Sequence, residues 1–427
     1  MSKSFQSHQE PDATQRLLPV ARRDGQIHEP GQVAVKMRSF RYLTWAVGRG
    51  AVKLFPPLRK FMPIYDSVTR YVDAGSAEFV EEDQSLLLSA AEQAHSARAR
   101  IPIPPAIHRS VALVRLDNVS VMGATGAIID EERQRLLTRR DGRGRTTYHD
   151  FLAEPSTPVD HRSAAYSATR YFSMVGPYRS HRHFYHFLIE RLPRIRYLLE
   201  TFALGRERLV VLTNEKLPAF QKDVYGFIAG RHPNVSFEAV PHRERWRLKQ
   251  LYVIDDFQPI PSTRVRIDPT FMMPETAAFI RDLVLDGYGI HAKPATRRIY
   301  VTRNDTRKRR LINEDALLTA LAPYGFEVVA PGTLSFREQA ATFADAAIIM
   351  GPHGAGLTNM IFAAPGADVV EISPADKVTV AYPMLAKCSG HRYTGLIGTP
   401  GDREEHFSID VAEVLATLQK IEAAPGR

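Results

Sequence analysis

Ala346-Ala-Ile-Ile-Met-Gly-Pro-His-Gly-Ala-Gly-Leu-Thr-Asn-Met-Ile-Phe362 is the stretch that decides the fold. Its first five residues, Ala346–Met350, form a short apolar run that reads as a strand buried in a parallel sheet. Gly351, Gly354 and Gly356 follow at once, and a short helix is expected near Ala355–Phe362. In doubly wound sheets ligands sit at the carboxyl ends of strands. Glycines there let the backbone approach a phosphate, and the free amides and dipole of the next helix attract its charge. His353 sits in the turn and can donate a hydrogen bond to a diphosphate, while Thr358 and Asn359 offer polar contacts from the first turns. A tight structural turn would use the same glycines; the order strand, glycine, histidine, helix favours the phosphate.

Working outward, the pattern repeats. Arg298–Thr302 reads as a strand, Asn313–Leu321 as a helix with Asn313 as its N-cap, and Phe326–Ala330 as a strand. Ser335–Ala344 reads as a helix opened by Ser335, and Val369–Ile372 as the next strand. Such alternation predicts a doubly wound α/β domain with a parallel sheet. Upstream, a helix is expected from about His186 to Phe202. Leu209–Leu212 and Leu251–Ile254 read as buried parallel strands, and Val111–Leu116 and Val119–Met122 as two short strands with turns at Gly123 and Gly126. Prolines 259, 261 and 269 mark an inter-domain connection between about 258 and 296. The division that follows is an N-terminal extension over 1–100, a first domain over 101–290 and a C-terminal domain over 291–427.

The chain has 427 residues, a formal charge of +9 and an isoelectric point near 9.5, a balance that favours anionic partners. Cys388 is the only cysteine, which excludes an internal disulfide framework and a cysteine-based zinc site. Met1–Glu10 lacks the apolar region of a secretory signal, and no run of about 18 apolar residues occurs, so a cytoplasmic protein is expected. Residues 1–35 read as a disordered lead. Residues 36–62 carry seven lysines and arginines and no acid; Phe40, Leu43, Val47, Ala51 and Leu54 share one apolar helical face, with Arg38, Arg49 and Lys53 opposite. That segment is expected to rest on the inner face of a membrane or, alternatively, to dock on its own protein. Aromatic and basic residues do not interleave as they do on RNA-binding sheets, so no nucleic-acid partner is expected.

Two more constellations carry chemistry. Arg303 directly follows a strand, and Arg307, Lys308, Arg309 and Arg310 share its loop. The planar guanidinium fork can bind two phosphate oxygens at once, which assigns Arg303 and one of Arg309 or Arg310 to phosphate, against the alternative of a solvated loop. In Phe184-Tyr-His-Phe-Leu-Ile-Glu-Arg-Leu-Pro-Arg194, His186 and Glu190 fall on one helical face. A carboxylate one turn away can fix the imidazole tautomer and raise its basicity, making the pair a candidate general base; a surface contact is the plainer reading. His181, His183 and His186 fit no closed metal site. No Asp-x-Asp follows an apolar strand, Asp255-Asp256 being the nearest approach, so no metal ligands are assigned.

Gly351–Asn359 with the following Met360-Ile-Phe-Ala-Ala-Pro-Gly-Ala-Asp-Val-Val-Glu-Ile372 closely resembles the signature of glycosyltransferase family 61. Tyr185–Arg194 is similar to that family's His-x-x-x-Glu-x-Leu-Pro-Arg element, and Arg298–Arg303 through Arg310–Glu314 to its arginine-rich donor segment. The resemblance covers roughly residues 108–400, with the three motifs in the family's order. It implies a GT-B fold, two Rossmann-like doubly wound domains facing across a cleft, behind a less ordered N-terminal extension. It also implies an inverting transfer with no obligatory metal and no cofactor beyond the nucleotide diphosphate sugar, which is a substrate. Carried over by motif, Arg303, Arg310, His353, the backbone of Gly354, Ala355 and Gly356, and Thr358 and Asn359 would bind the donor, with Glu371 on its ribose hydroxyls. His186 and Glu190 would fall on the acceptor side. The acceptor is expected to be a carbohydrate, a lipid-linked one included, in the making of capsule or other surface polysaccharide. The competing functions are a pyruvyl- or phosphate-type transferase modifying polysaccharide on a similar scaffold, and a non-enzymatic polyanion-binding protein.

Overall fold

The computed structural model describes residues 65–67, 77–87, 106–133, 135–138, 156–162, 169–176, 182–202, 207–257, 273–291, 293–379 and 381–424. The lead over 1–35, the basic segment 36–62, His181 and the prolines at 259, 261 and 269 lie outside them. Among the described residues no helix is long and apolar enough to cross a membrane.

The fold is mixed α/β, built on two sheets. The first holds β1 (Tyr65–Ser67), β2 (Ala77–Leu87), β3 (Ala106–Met122), β4 (Ile128–Asp130), β5 (Arg135–Thr138), β6 (Thr157–Asp160) and β7 (Thr169–Ser173). A π-helical turn, His186–Arg191, then runs into the α-helix Leu192–Phe202, together called α1. Next come β8 (Arg208–Asn214), α2 (Ala219–Arg231), β9 (Val235–Val240) and β10 (Glu244–Phe257). The strand order is β1-β5-β4-β3-β10-β7-β8-β9, with β2 also on β3 and β6 also on β10. Strands β7, β8 and β9 are parallel, but β10 runs antiparallel to β3, as β2 and β4 do.

That first sheet corrects the expectation of a wholly doubly wound domain. The sequence shows why in β10: Trp246 and Leu248 are buried between the more exposed Arg245, Arg247 and Lys249, the alternation of a half-covered antiparallel strand. Only its later part, Leu251–Ile254, is the continuous apolar run of a buried strand. The two short strands expected over Val111–Leu116 and Val119–Met122 are one strand, β3, which Asn118 crosses with φ 50. Residues 77–87 of the expected extension pair with β3.

Helix α3 (Pro274–Tyr288) lies in the stretch read as the inter-domain connection. Pro274 opens it and Gly289, in the left-handed region at φ 64, closes it. The second sheet follows the reading closely. It comprises β11 (Arg297–Val301), α4 (Glu314–Leu321), β12 (Phe326–Val329), α5 (Phe336–Ala344), β13 (Ala346–Pro352) and a 3-10 helix at Ala355–Phe362. Then come β14 (Asp368–Ser373), α6 (Ala381–Cys388), β15 (Arg392–Ile397) and α7 (Val411–Glu422). All its strands are parallel, in the order β12-β11-β13-β14-β15. Ser335 caps α5 through a capping box with Glu338. Asn313 precedes α4 without capping it; its amide instead donates to the carbonyl of Ile409 and accepts from the Ile409 amide.

One continuous core joins the sheets. Phe336 of α5 meets Phe184 and Phe220 from the first half and Tyr288 and Phe362 from α3 and the second half, ring centres 5.7–5.9 Å apart. Helix α3 ties both sides: Thr276 accepts from Arg196 of α1 at 3.0 Å, and Tyr288 donates to Asp223 of α2 at 2.5 Å. Edge-to-face aromatic pairs add to the burial of their faces. Phe336→Ala should therefore cost about 3–5 kcal/mol of stability. In a urea titration followed by fluorescence and circular dichroism, both signals should move to a lower midpoint together. Loss of the second sheet alone would contradict a shared core.

Candidate functional site

The site is the carboxyl edge of the second sheet, where β11, β13, β14 and β15 end side by side. Arg303 follows β11 and is buried, 8% exposed. Its Nε and Nη2 donate to the carbonyl of Lys308 at 3.2 and 3.0 Å. Its Nη1 lies against Gly354, where a Cβ would fall 1.5 Å from that nitrogen. A side chain on residue 354 would displace the guanidinium from this place, and the glycine's own backbone is extended (φ 173). Gly351 and Gly356 serve the same packing: Cβ atoms there would meet the carbonyl oxygen of Val301 at 2.5 Å and its Cγ1 at 2.7 Å. Burial, and then the neighbouring charge of Arg309, bring the Arg303 pKa down to about 10.

His353 follows β13, and its Nδ1 is 2.5 Å from the Glu371 carboxylate. That carboxylate, 1% exposed, also accepts from the Tyr393 hydroxyl at 2.5 Å and from Ser373 at 3.2 Å. A ribose contact from Glu371 would need these bonds broken; as it stands the group fixes the ring and tautomer of His353 from behind. Glu371 in turn raises the pKa of Tyr393 and Tyr382, in each case after burial itself. Tyr382 of α6 lies edge-on to His353 with ring centres 5.2 Å apart, and meets Tyr185 of the first half at 5.8 Å.

Thr358 and Asn359 point inward. Both are fully buried, and the Asn359 amide donates to Gln339 and to the carbonyl of Gly356. The helix they sit in, Ala355–Phe362, is the short helix expected and is of the tighter 3-10 type. Ala355 and Gly356, half-buried, open it. In the arginine loop the structure separates the two candidates. Arg310 is exposed and its Nε donates back to the Thr306 carbonyl at 2.5 Å. Arg309 is half-buried, and its charge is felt at Arg303, Tyr382 and His183.

His186 and Glu190 are in contact as expected from their spacing, Nδ1 to Oε1 2.5 Å, although the segment is π-helical. His183 stands beside His186, ring centres 4.6 Å apart. Partial burial, the neighbouring His186 and then Arg309 and Arg303 all lower the His183 pKa. The histidines of the first half thus face the arginines of the second. Tyr382 and Tyr393, which complete the site, were not singled out beforehand; tyrosines within an α-helix and a strand carry no spacing signal of their own. A separate open groove of about 480 Å³ lies between α2 and β9, lined by Asn214, Lys222, Tyr225 and Phe237 among others.

Comparison with known proteins bears directly on these elements. Residues 184–370 match the glycosyltransferase 61 family model. The region spans both halves of the site, from Phe184 through the Gly351–Asn359 turn. Over 117 residues the chain is 32% identical to the Drosophila melanogaster EGF domain-specific O-linked N-acetylglucosamine transferase, covering 26% of this chain and 22% of that protein. Over 125 residues it is 27% identical to an Arabidopsis thaliana beta-1,2-xylosyltransferase, again 26% of this chain and 22% of that protein. The chain therefore spans less than a quarter of the length of these curated relatives. Among solved structures, the bacterial iron-containing dodecameric glycosyltransferase TibC from enterotoxigenic E. coli H10407 aligns over 63% of this chain and 77% of that one. Its TM-score of 0.25, at 13% identity, is too low to carry an argument.

The 3-10 helix is anchored by a histidine that titrates. His391, 8% exposed, holds the Met360 carbonyl at 2.8 Å through Nε2, which must carry the proton to donate. Burial lowers its pKa below the ordinary 6.5, with Arg281 and Arg392 adding to the effect and the Met360 bond opposing it. As pH falls through 6.5 the unfolded chain takes up a proton that the folded chain refuses, so stability is full above that pH and declines below it. Urea midpoints measured between about pH 7.5 and pH 5 should fall for the wild type and fall less for His391→Gln, which keeps a donor for Met360. Part of the slope should remain, because His161, His183 and His232 are lowered too. An unchanged slope in the variant would contradict the assignment.

Proposed function

We propose that the chain is an inverting glycosyltransferase that moves a sugar from a nucleotide diphosphate donor to a carbohydrate acceptor without a metal ion. The observation that carries this reading is the Arg303 guanidinium lying on the bare backbone of Gly354, beside His353, at the carboxyl edge of a parallel sheet. The glycosyltransferase 61 match over the same residues supports it. A diphosphate set there would receive hydrogen bonds from Arg303, Arg309 and His353 and from backbone amides at the start of the 3-10 helix. Those donors would stabilise the charge that grows on the leaving group.

In the transfer an acceptor hydroxyl oxygen attacks the anomeric carbon. A new carbon–oxygen bond forms as the bond from that carbon to the diphosphate oxygen breaks, and the nucleoside diphosphate leaves with the electron pair. The hydroxyl proton passes to a base, for which His186, held by Glu190, is the candidate on the acceptor side. We read the two sheets, with their shared core, as the two halves of a GT-B arrangement and the 183–190 segment as its acceptor wall. Glu371 is reassigned from the ribose to the support of His353. A lipid-linked acceptor, reached by the 36–62 segment at a membrane surface, fits the charge of that segment.

Calorimetry with UDP, GDP and dTDP, and turnover with a matching nucleotide sugar, test the proposal together. One nucleotide should bind, and Arg303→Ala or His353→Ala should each lose about 1.5–3 kcal/mol of that affinity, the magnitude of a charged hydrogen bond. Circular dichroism checks that the variants remain folded. Turnover should persist in EDTA; complete loss there, restored by Mg²⁺ or Mn²⁺, would overturn the metal-independent reading, and unchanged affinity in both variants would remove these residues from the site.

A further inference from the structure

Among the described residues only three that are not glycine have positive φ: Asn118, Arg309 and Glu405. Asparagine visits that region readily, whereas arginine and glutamate do so at a cost and persist there only when their surroundings hold them. Arg309 (φ 60) and Glu405 (φ 68) form an ion pair without a hydrogen bond, Arg309 Nε lying 3.4 Å from Glu405 Oε2. The other carboxylate oxygen, Oε1, accepts from Lys377 Nζ. The two loops are also zipped through the backbone. Arg309 N donates to the Glu404 carbonyl at 3.1 Å, Arg310 N to His406 Nδ1 at 3.1 Å, and Ile312 N to the Phe407 carbonyl at 2.7 Å.

We propose that Glu405 is a positioning residue of the donor site: it fixes Arg309 beside Arg303, and Lys377 fixes Glu405 in turn. The inference rests on the donor-site reading given above and extends it to a loop, Asp402–His406, outside the matched family region. Arg303 grips the carbonyl of Lys308, so the peptide that leads into Arg309 is already pinned against it. Two guanidinium groups brought this close repel one another, and an arginine on a loop would swing into water unless a counter-charge held it. Glu405 supplies that charge; its own pKa is lowered by Lys377 first and by Arg309 after. Contact through Nε leaves the two terminal nitrogens of Arg309 free to form a fork for a pair of phosphate oxygens.

The test is calorimetry of the full chain with UDP and with inorganic pyrophosphate. The variants are Glu405→Gln, Glu405→Asp, Arg309→Asn and the Gln/Asn double; asparagine removes the charge and tolerates the left-handed backbone. Glu405→Gln should weaken both ligands by about three- to tenfold, and Glu405→Asp should recover part of that, in the range of couplings between groups in contact. In the Arg309→Asn background Glu405→Gln should have no further effect, because it acts only through Arg309. Lys377→Gln, more remote, should give a smaller loss in the same direction and serves if Glu405→Gln fails to fold. An equal loss in the Arg309→Asn background, or no loss where Arg309→Asn alone weakens binding, would overturn the positioning role. Unchanged binding in both Arg303→Ala and Arg309→Asn would instead overturn the donor-site reading beneath it.

Discussion

The guanidinium of Arg303 occupies the space that a side chain on residue 354 would fill. Much of the second half is arranged around that contact. Strands β11 and β13 must be neighbours for the two residues to meet, and Gly351 and Gly356 let the strand ends close to the distance it requires. A buried arginine needs its donors satisfied, and the Lys308 carbonyl answers two of them by folding the arginine loop back on itself. Arg309 then arrives beside a cation that is already desolvated, and the Glu405–Lys377 pair offsets that crowding. Assembling so much positive charge is costly, and the proposed diphosphate would offset it.

The second constraint is the aromatic contact between halves. Phe336, Phe184 and Phe220 seal one side of the junction, and Tyr185 and Tyr382 the other. Through Tyr382 the first half touches His353, and through His353 it reaches the buried Glu371. The pairing of His186 with Glu190 is therefore presented to the carboxyl edge of the second sheet by the same packing that holds the sheets together. Core and site share Tyr382, which packs on Tyr185 on one side and on His353 on the other.

The second sheet was legible because its strands are continuous apolar runs and its helices carry end signals such as Ser335 and Glu338. The contact of His186 with Glu190 followed from spacing alone, since four residues bring them together even in a π-helical turn. The first sheet was harder. Its strands alternate between buried and exposed, and β3 passes through Asp117 and Asn118, residues that usually end a strand. Helix α3 carried its own signals, Pro274 at the start and Gly289 past the end, hidden among the prolines of the connection. The partners of Glu371 could not be read at all. Tyr393 reaches it across a strand register and Ser373 from two residues on, and only the folded sheet brings them to one carboxylate. Arg309 and Arg310 were indistinguishable by type; a single left-handed backbone angle turns one inward and leaves the other in water.

The central claim is that a nucleoside diphosphate binds where Arg303, Gly354 and His353 meet. Hydrogen exchange on the full chain, read by mass spectrometry with and without saturating UDP, GDP or dTDP, tests it most directly. The account predicts that the nucleotide that binds slows exchange over 303–310 and 351–362 and in the 402–406 loop, and leaves the α2–β9 groove unchanged. Protection confined to residues 208–240, with the arginine loop and the Gly351–Asn359 turn unaffected, would contradict it.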